Sequence, residues 1–478
     1  MTSTHTTNEG ANQHEHSYNH HLEFFSKAGS LFEKKESFYT KEATALDLFK
    51  QAWYADEELA FKLLLWLRDC RGGAGNRSGF RSCLRWVAAN FPNWVVNNLD
   101  WIITVGRWDD LRVLFSTPVE SFAAQTWISA IKERNVLAAK WADRNDRPLF
   151  LRSGHKDIGD FRRMLASIRK EHIVETKMCD NDWDKINYEF VPSVAMSRYT
   201  KAFNKHNPER FAMYKDALIK GDAKVNADVL FPHDCVRTCL GGDSAIANAQ
   251  FEALPNYLKD NNERAIVIAD TSGSMDVRVA GAIQAVHISQ GMALYCSDRL
   301  GKSNPFYRKF IGFSEEGHFV DWSKLSFSEA VKSRTIFSKA VGHTRIDRAL
   351  DLILNSAIFF KVPLDEMITS LIIVSDMQFS SEEHRGGYAA TRTKMRDTLP
   401  IVKKSLTKWE EAGYKIPKIV YWNTSGYAGT PDTKYAENVA LVSGFSPAIL
   451  KSIFTGDDLT PMGVMKRTVQ KYKVTVPE

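Results

Sequence analysis

The sequence predicts a helical solenoid followed by an α/β region built on a parallel sheet, and three observations predict it. From about residue 21 to 260, apolar side chains recur at helical spacing with no intervening strand pattern. Further on, the short apolar runs Ala265–Ala269 and Ser370–Ser375 each lead into an aspartate, Asp270 and Asp376. Between them Ile346–Leu354 is amphipathic with a helical period, so strands and helices alternate.

Taken in order, residues 1–20 are rich in His, Asn, Thr and Glu with almost nothing apolar, and read as a disordered polar tail. His14, His16, His20 and His21 in or beside it are assigned no function. Residues 21–260 follow as helices with short breaks: Leu46–Trp53, Leu59–Leu67 and Phe80–Ala88 each carry an apolar stripe. Helical pairs of this kind stack into a curved array with an extended concave surface. Trp86, Trp94, Trp101, Trp108 and Trp141 sit among Leu and Val at helical spacing, which predicts core packing for most of them. Residues 261–478 form the α/β region. Ala265–Ala269, apolar and partly β-branched, is expected to be covered on both faces.

At 478 residues and 44% hydrophobic content, the chain exceeds what one core of about 250–300 residues holds, so two domains are expected. Six cysteines without C-x-x-C spacing make no disulfide framework, which points to a reducing compartment. His233-x-Cys235-x-x-x-Cys239 lacks a fourth zinc ligand. No apolar run approaches the ~18–20 residues of a membrane helix, and the polar start has no signal-peptide core, so a cytoplasmic protein is expected. With 63 basic and 57 acidic residues the net charge is +6, which permits a nucleic-acid partner without requiring one.

Asp270 falls at the carboxyl end of its strand, where ligands of open α/β sheets bind. Thr271, Ser272, Gly273 and Ser274 are small enough to turn sharply and aim hydroxyls back toward the carboxylate. Thr344 lies where a loop enters the helical run, and Asp376 repeats the pattern of Asp270. Oxygen donors alone suit a hard cation such as Mg2+, which keeps some of its water. Two other readings of Asp-Thr-Ser-Gly stand beside this one: a helix cap, and a turn of the aspartic-protease type, whose dyad needs an all-β setting.

Asp270-x-Ser272-x-Ser274, Thr344 and Asp376, in that order, resemble the metal-ion-dependent adhesion site of von Willebrand factor A domains, which have a Rossmann-like fold. The resemblance implies that Ser272, Ser274 and Thr344 approach the ion directly, that Asp270 and Asp376 act mainly through water, and that the open position takes a partner's Asp or Glu.

Further motifs spread across the chain: Arg68-Asp-Cys-Arg71-Gly-Gly-Ala-Gly-Asn-Arg77-Ser-Gly-Phe-Arg81, Gly106-Arg107-Trp108-Asp109-Asp110-Leu111, Ala139-Lys140-Trp141, Val191-Pro192-Ser193, Ser375-Asp376-Met-Gln-Phe379 and Val420-Tyr-Trp422-Asn423. Together they resemble the Ro ribonucleoprotein (TROVE) module fused to a von Willebrand A domain. That resemblance implies a HEAT-like helical ring closed by the A domain, with structured RNA on its outer face and single-stranded RNA ends in its hole.

Two basic clusters are candidates for RNA. Arg71, Arg77 and Arg81 flank a glycine-rich break where helix-start amides attract anions, although glycines for a tight turn and arginines paired with carboxylates fit equally well. His155, Lys156, Arg162, Arg163, Arg169, Lys170 and His172 form the densest cationic stretch, and the four from Arg162 to Lys170 can share a helical face. No catalytic residue is assigned: Ser272 has no evident base, His287 sits in an apolar run, and a cation would neutralise both aspartates. The sequence is therefore read as an RNA-binding scaffold, a monomer, with a metal-dependent protein-interaction or assembly factor as the alternative.

Overall fold

The structure, a computed structural model, describes residues 4–6, 12–14, 17–31, 44–170, 173–259, 263–280, 283–333, 336–337, 344–379, 401–426, 431–432, 436–454 and 459–478. His16, His172, Gly342 and His343 lie outside them.

Local signals start the helices. Thr44 and Asp47 form a capping box, each side chain accepting the other's backbone N–H, at the head of Ala45–Ala55. Asp56 caps Glu57–Arg68 through the Leu59 amide, and Asn76 caps Arg77–Asn90 through the Gly79 amide. Pro92, Pro208 and Pro232 occupy first turns, where a missing N–H costs nothing. Successive helices pack in pairs, Ala45–Ala55 on Glu57–Arg68 and that helix on Arg77–Asn90. Their lengths are uneven, and the 3-10 segment Trp108–Leu114 interrupts them.

A second, smaller core lies apart from the main one. Ile186, Tyr188, Met196, Phe203, Phe211 and Tyr214 form an aromatic-rich cluster between residues 174 and 225, joined to the rest through Ile246 on the helix Ser244–Glu252. This satellite lobe was not foreseen from the pattern of apolar spacing.

The α/β region has a mixed sheet of six strands, here β1 (Ala265–Asp270), β2 (Lys309–Phe313), β3 (Gly317–Asp321), β4 (Ser370–Ser375), β5 (Lys418–Asn423) and β6 (Val439–Ser443). Their order is β6-β5-β4-β1-β2-β3, parallel throughout except for β3, which pairs antiparallel with β2 at the edge. Every residue of β1 and β4 is buried, as expected of central strands covered on both faces.

Within the polar tail, residues 4–6, 12–14 and 17–20 are described. Thr4–Thr6 pairs antiparallel with Asn12–His14, the β-branched threonines suiting an extended backbone. The chain then enters the helix His20–Lys27, almost wholly buried, with Glu23 and Lys27 ion-paired inside it.

Helices and sheet share one core that runs from Leu22 to Tyr472. His20–Lys27 packs on the sheet's β6 edge, where the Ser443 hydroxyl donates to Phe25 O (2.7 Å) and accepts from the Gly29 amide (3.0 Å). Ser30 Oγ donates to Asn423 O at 2.6 Å, and Gly444 N donates to Ser30 Oγ at 3.0 Å, tying the same segment to the ends of β5 and β6. From the other terminus, Asn98 brackets Thr475, donating to its carbonyl at 2.9 Å and accepting from its amide at 2.8 Å. Trp101 Nε1 meets Lys473 O at 2.6 Å. Both chain ends thus fasten the helical region to the sheet.

Candidate metal centre

Register brings the two aspartate-tipped strands side by side. β1 and β4 are parallel with Ala269 opposite Val374, so Asp270 and Ser375 are neighbours at the carboxyl rim. The Ser375 hydroxyl donates to Asp270 Oδ2 at 2.6 Å, and Asp270 Oδ1 accepts from the Ser272 amide at 2.9 Å. Ser289 Oγ, from the helix Ala285–Arg299, donates to the Asp270 carbonyl at 2.9 Å. The chain then turns through a short 3-10 segment, Gly273–Asp276, with the Ser272 and Ser274 hydroxyls 3.0 Å apart. Ser272 makes no side-chain capping bond to that segment; of the helix-cap reading, only the Asp270 carboxylate accepting a backbone N–H is seen.

Asp376 follows β4 directly and is fully buried, as is Asp270. Its Oδ1 accepts from the Gln378 amide at 3.0 Å. Between them Met377 adopts a left-handed backbone, φ 64°, a conformation costly for a residue other than glycine, asparagine or aspartate. Its amide donates to Ser375 Oγ at 3.0 Å.

Thr344 arrives from a third segment. The Arg345 amide donates to Ser314 O at 2.7 Å, and Ser314 directly follows β2, which pairs with β1 so that Phe313 faces Asp270. Thr344 is therefore held at the rim of β2, fully buried, just before the helix Ile346–Phe359. The rim ends of β1, β2 and β4 bring all five predicted residues to one edge of the sheet.

The donors there are two carboxylates and three hydroxyls, hard oxygens without sulfur or imidazole, and such a set fits Mg2+. Among the described residues no three His, Cys, Asp or Glu side chains gather as metal ligands. The aspartic-protease reading does not suit a parallel α/β sheet. Nor do His233, Cys235 and Cys239 form a zinc site: all three are buried along the helix Pro232–Leu240, His233 packs edge-on to Phe445, and Cys239 donates to Ser328 O. Burial raises the thiols of Cys235 and Cys239 above the ordinary range.

The basic candidates are spread more widely. Arg71 and Arg77 are exposed at the glycine-rich break. Arg81 turns inward, with Nε 2.6 Å from Asp110 Oδ1 and Nη2 2.8 Å from Asp109 Oδ2. Arg68 meets Asp110 Oδ2 at 2.7 Å, and Arg107 meets Asp109 at 3.0 Å. Arg107 also stacks over the Trp141 ring, 4.0 Å from its centroid. These motif residues form one ion cluster, with Arg68 and Asp110 buried and Arg81 and Arg107 half-buried.

The glycines of the break serve close approach. A Cβ on Gly75, whose φ is 76°, would fall 2.6 Å from the Phe231 ring. In the second cluster, Arg169 is spent on the Ala139 and Ala142 carbonyls, and Arg162 bonds Arg144 O and Asn145. Arg163 pairs with Asp160, while Lys156 and Lys170 are exposed and His155 is half-buried. Trp94 is buried, and Trp86, Trp101, Trp108 and Trp141 pack half-buried against the main core. Spacing offers no sign of the bonds that Ser375 and Ser289 make to Asp270, because one crosses between strands and the other runs from helix to strand.

The family described as "Domain of unknown function (DUF2828)" matches residues 6–147 and 157–273, more than half of the chain. The chain belongs to the DUF2828 family. A further family, "Domain of unknown function (DUF7788)", matches residues 264–474 and includes all five rim residues of this DUF2828 member. The member is similar to "Uncharacterized protein L728" of Acanthamoeba polyphaga mimivirus, 27% identical over 492 residues that cover 89% of this chain and 82% of that protein. Among solved structures it is similar to the Deinococcus radiodurans Ro (RSR) protein, with a TM-score of 0.47, 12% identity, and coverage of 95% of this chain and 99% of that one.

Proposed function

We propose that this chain is an RNA-binding scaffold of the Ro ribonucleoprotein type, whose α/β region holds Mg2+ in an adhesion-type site. The metal half is carried by one observation: Asp270, Ser272, Ser274, Thr344 and Asp376, from three separate segments, meet at one sheet rim. Ser272, Ser274 and Thr344 would offer hydroxyls to the ion, and Asp270 and Asp376 the charge that offsets it.

The RNA half rests on the TROVE-like motifs named above and, in the same proposal, the HEAT-like ring that they imply. Arg71, Arg77, Lys156, Arg163 and Lys170 are exposed and available to phosphate, whereas Arg81 and Arg169 act inside the fold. Among the described residues no helix is long and apolar enough to cross a membrane. The proposal places the protein in the cytoplasm as a monomer that binds without turning over a substrate.

Purifying the chain from its own host and sequencing what copurifies tests the RNA half, with small non-coding RNA expected. Recovery of no RNA above an empty-matrix control would defeat it.

A second reading, a metal-bridged protein-interaction factor, is favoured by the exposure of Gly273 and partial exposure of Ser274 at an otherwise buried rim, where an incoming carboxylate has its way in. Capture of a protein partner that survives both chelator and Ser272→Ala would rule this out.

A further inference from the structure

The helix Ser193–His206 in the satellite lobe contains no acidic residue, and Arg198, Lys201 and Lys205 on it are all exposed. At 3.6 residues per turn, Val194, Arg198, Lys201 and Lys205 fall within an arc of roughly 60°, and the three cations span about 10 Å along the axis. Three carboxylates of the lobe and the helix beside it are engaged elsewhere: Glu175 with Lys140 and the Tyr199 hydroxyl, Asp182 with Lys185, Asp243 with Lys215. None of the three stripe cations forms an ion pair among the described residues.

Helix electrostatics accounts for part of this. Lys205 and His206 lie in the last turn, where positive charge complements the helix dipole. Arg198 and Lys201 lie mid-helix, where like charges three and four residues apart repel and the dipole gives no return.

An aromatic platform stands at the end of the stripe. His206 and Trp183 are parallel, 3° between planes and 4.3 Å between centroids. The Trp183 indole is fixed by its N–H donating to Asn181 Oδ1 at 2.8 Å, and Arg210 bonds the carbonyls of Trp183 and Asp184. Trp183 is half-buried, its ring also edge-on to Phe203, and His206 on its outer side is exposed beside the cations.

We infer that this face of the satellite lobe is a contact surface for single-stranded RNA, its three cations taking successive phosphates and the Trp183–His206 pair taking an unpaired base. The inference rests on the RNA reading above and names a surface for it. A line of cations ending in a ring stack matches the two devices by which proteins hold single strands, and a base locked in a duplex cannot reach the rings. An acidic peptide would use the cations but leave the platform idle.

The test uses the full chain and a fluorescein-labelled 20-mer of uridylate, read by anisotropy across a salt series. The Arg198→Glu, Lys201→Glu, Lys205→Glu triple variant is expected to bind at least about tenfold more weakly, with a log–log salt slope flatter by about 2, since each single-strand phosphate contributes about 0.7. Trp183→Ala is expected to lose about tenfold with the slope unchanged. Reversing Lys302, Lys361 and Lys415, exposed on the α/β region, controls for net charge and should alter neither quantity by as much.

Should the stripe variant melt early, the Gln triple at the same positions must still flatten the slope. Wild-type binding by both stripe variants, or an equal loss in the control, overturns this surface while leaving the RNA reading in place. Failure of the unmutated chain to bind the oligonucleotide defeats that reading and the surface with it. Displacement by polyglutamate, with no effect of Trp183→Ala, would assign the face to an acidic peptide instead.

Discussion

Ser375 Oγ stands between Asp270 Oδ2, to which it donates at 2.6 Å, and the Met377 amide, from which it accepts at 3.0 Å. One hydroxyl thereby locks the carboxylate of β1 to the left-handed turn that carries Asp376. It is not itself among the proposed ion ligands, so its removal reports on positioning. Ser375→Ala leaves a buried carboxylate oxygen without this donor, at a cost of about 1.5–3 kcal/mol for a hydrogen bond to a charged group. Support of this kind behind metal ligands is worth about 10–100-fold in affinity. Titration calorimetry with Mg2+ should show that drop, and an affinity equal to wild type would separate Ser375 from the site.

Magnesium itself should stabilise the chain. An ion that binds only the native state adds about 2.7 kcal/mol at a hundredfold excess over Kd. Thermal unfolding with Mg2+ should therefore exceed unfolding with chelator in wild type, and Asp270→Ala or Ser272→Ala should abolish the difference. Identical melting curves for wild type in the two conditions would contradict an ion at this rim.

Acid should weaken the junction between helices and sheet. His233 is buried between Phe231 and Phe445, its backbone against Gly291, and its Nδ1 has no hydrogen-bond partner among the described residues. Burial lowers its pKa below the usual imidazole value, with Arg237 acting in the same direction and Asp234 opposing. His21 and His318 are lowered by burial as well. A depressed histidine pKa means that the unfolded chain takes up protons first. Stability is then fully present above about pH 6.5 and is lost as pH falls from there through the folded values. Urea midpoints from pH 7.5 to 5 should decline, less steeply in His233→Leu. A decline of equal slope in that variant would remove His233 from the account.

The Asp109–Asp110 cluster predicts a severe folding defect. Asp110 is fully buried and Arg68 nearly so, with Arg81 on the other carboxylate oxygen. Asp110→Asn removes the carboxylate charge beside Arg68 and one of the two beside Arg81, and breaking one side of a buried pair costs about 3–5 kcal/mol. A denaturation midpoint within error of wild type would mean that Arg68 and Arg81 find other partners.

Much of the α/β region could be read directly. Ala265–Asp270 and Ser370–Ser375 are continuous apolar runs with an aspartate at the end, because central strands need apolar side chains on both faces and the rim is the first place a charge is tolerated. The amphipathic run from Ile346 marked its helix equally well. His20–Lys27, by contrast, reads from its sequence as the start of the helical array, and its place on the sheet edge depends on Ser443, over four hundred residues away. The satellite lobe hides for a related reason: helical spacing says which face is apolar, not which neighbour covers it.

Among the charged residues the same division holds. Sequence alone marked Asp270 and Asp376 as carboxylates at strand ends, since strand ends and small-residue turns are local in origin. Only tertiary structure decided that Arg81 and Arg169 face inward, that Arg198, Lys201 and Lys205 form no ion pair among the described residues, and that Ser375 reaches Asp270. The physical reason is that an arginine in a helix has one periodicity whether it ends in solvent or on a carboxylate. Its partner is chosen by packing between segments far apart in the chain.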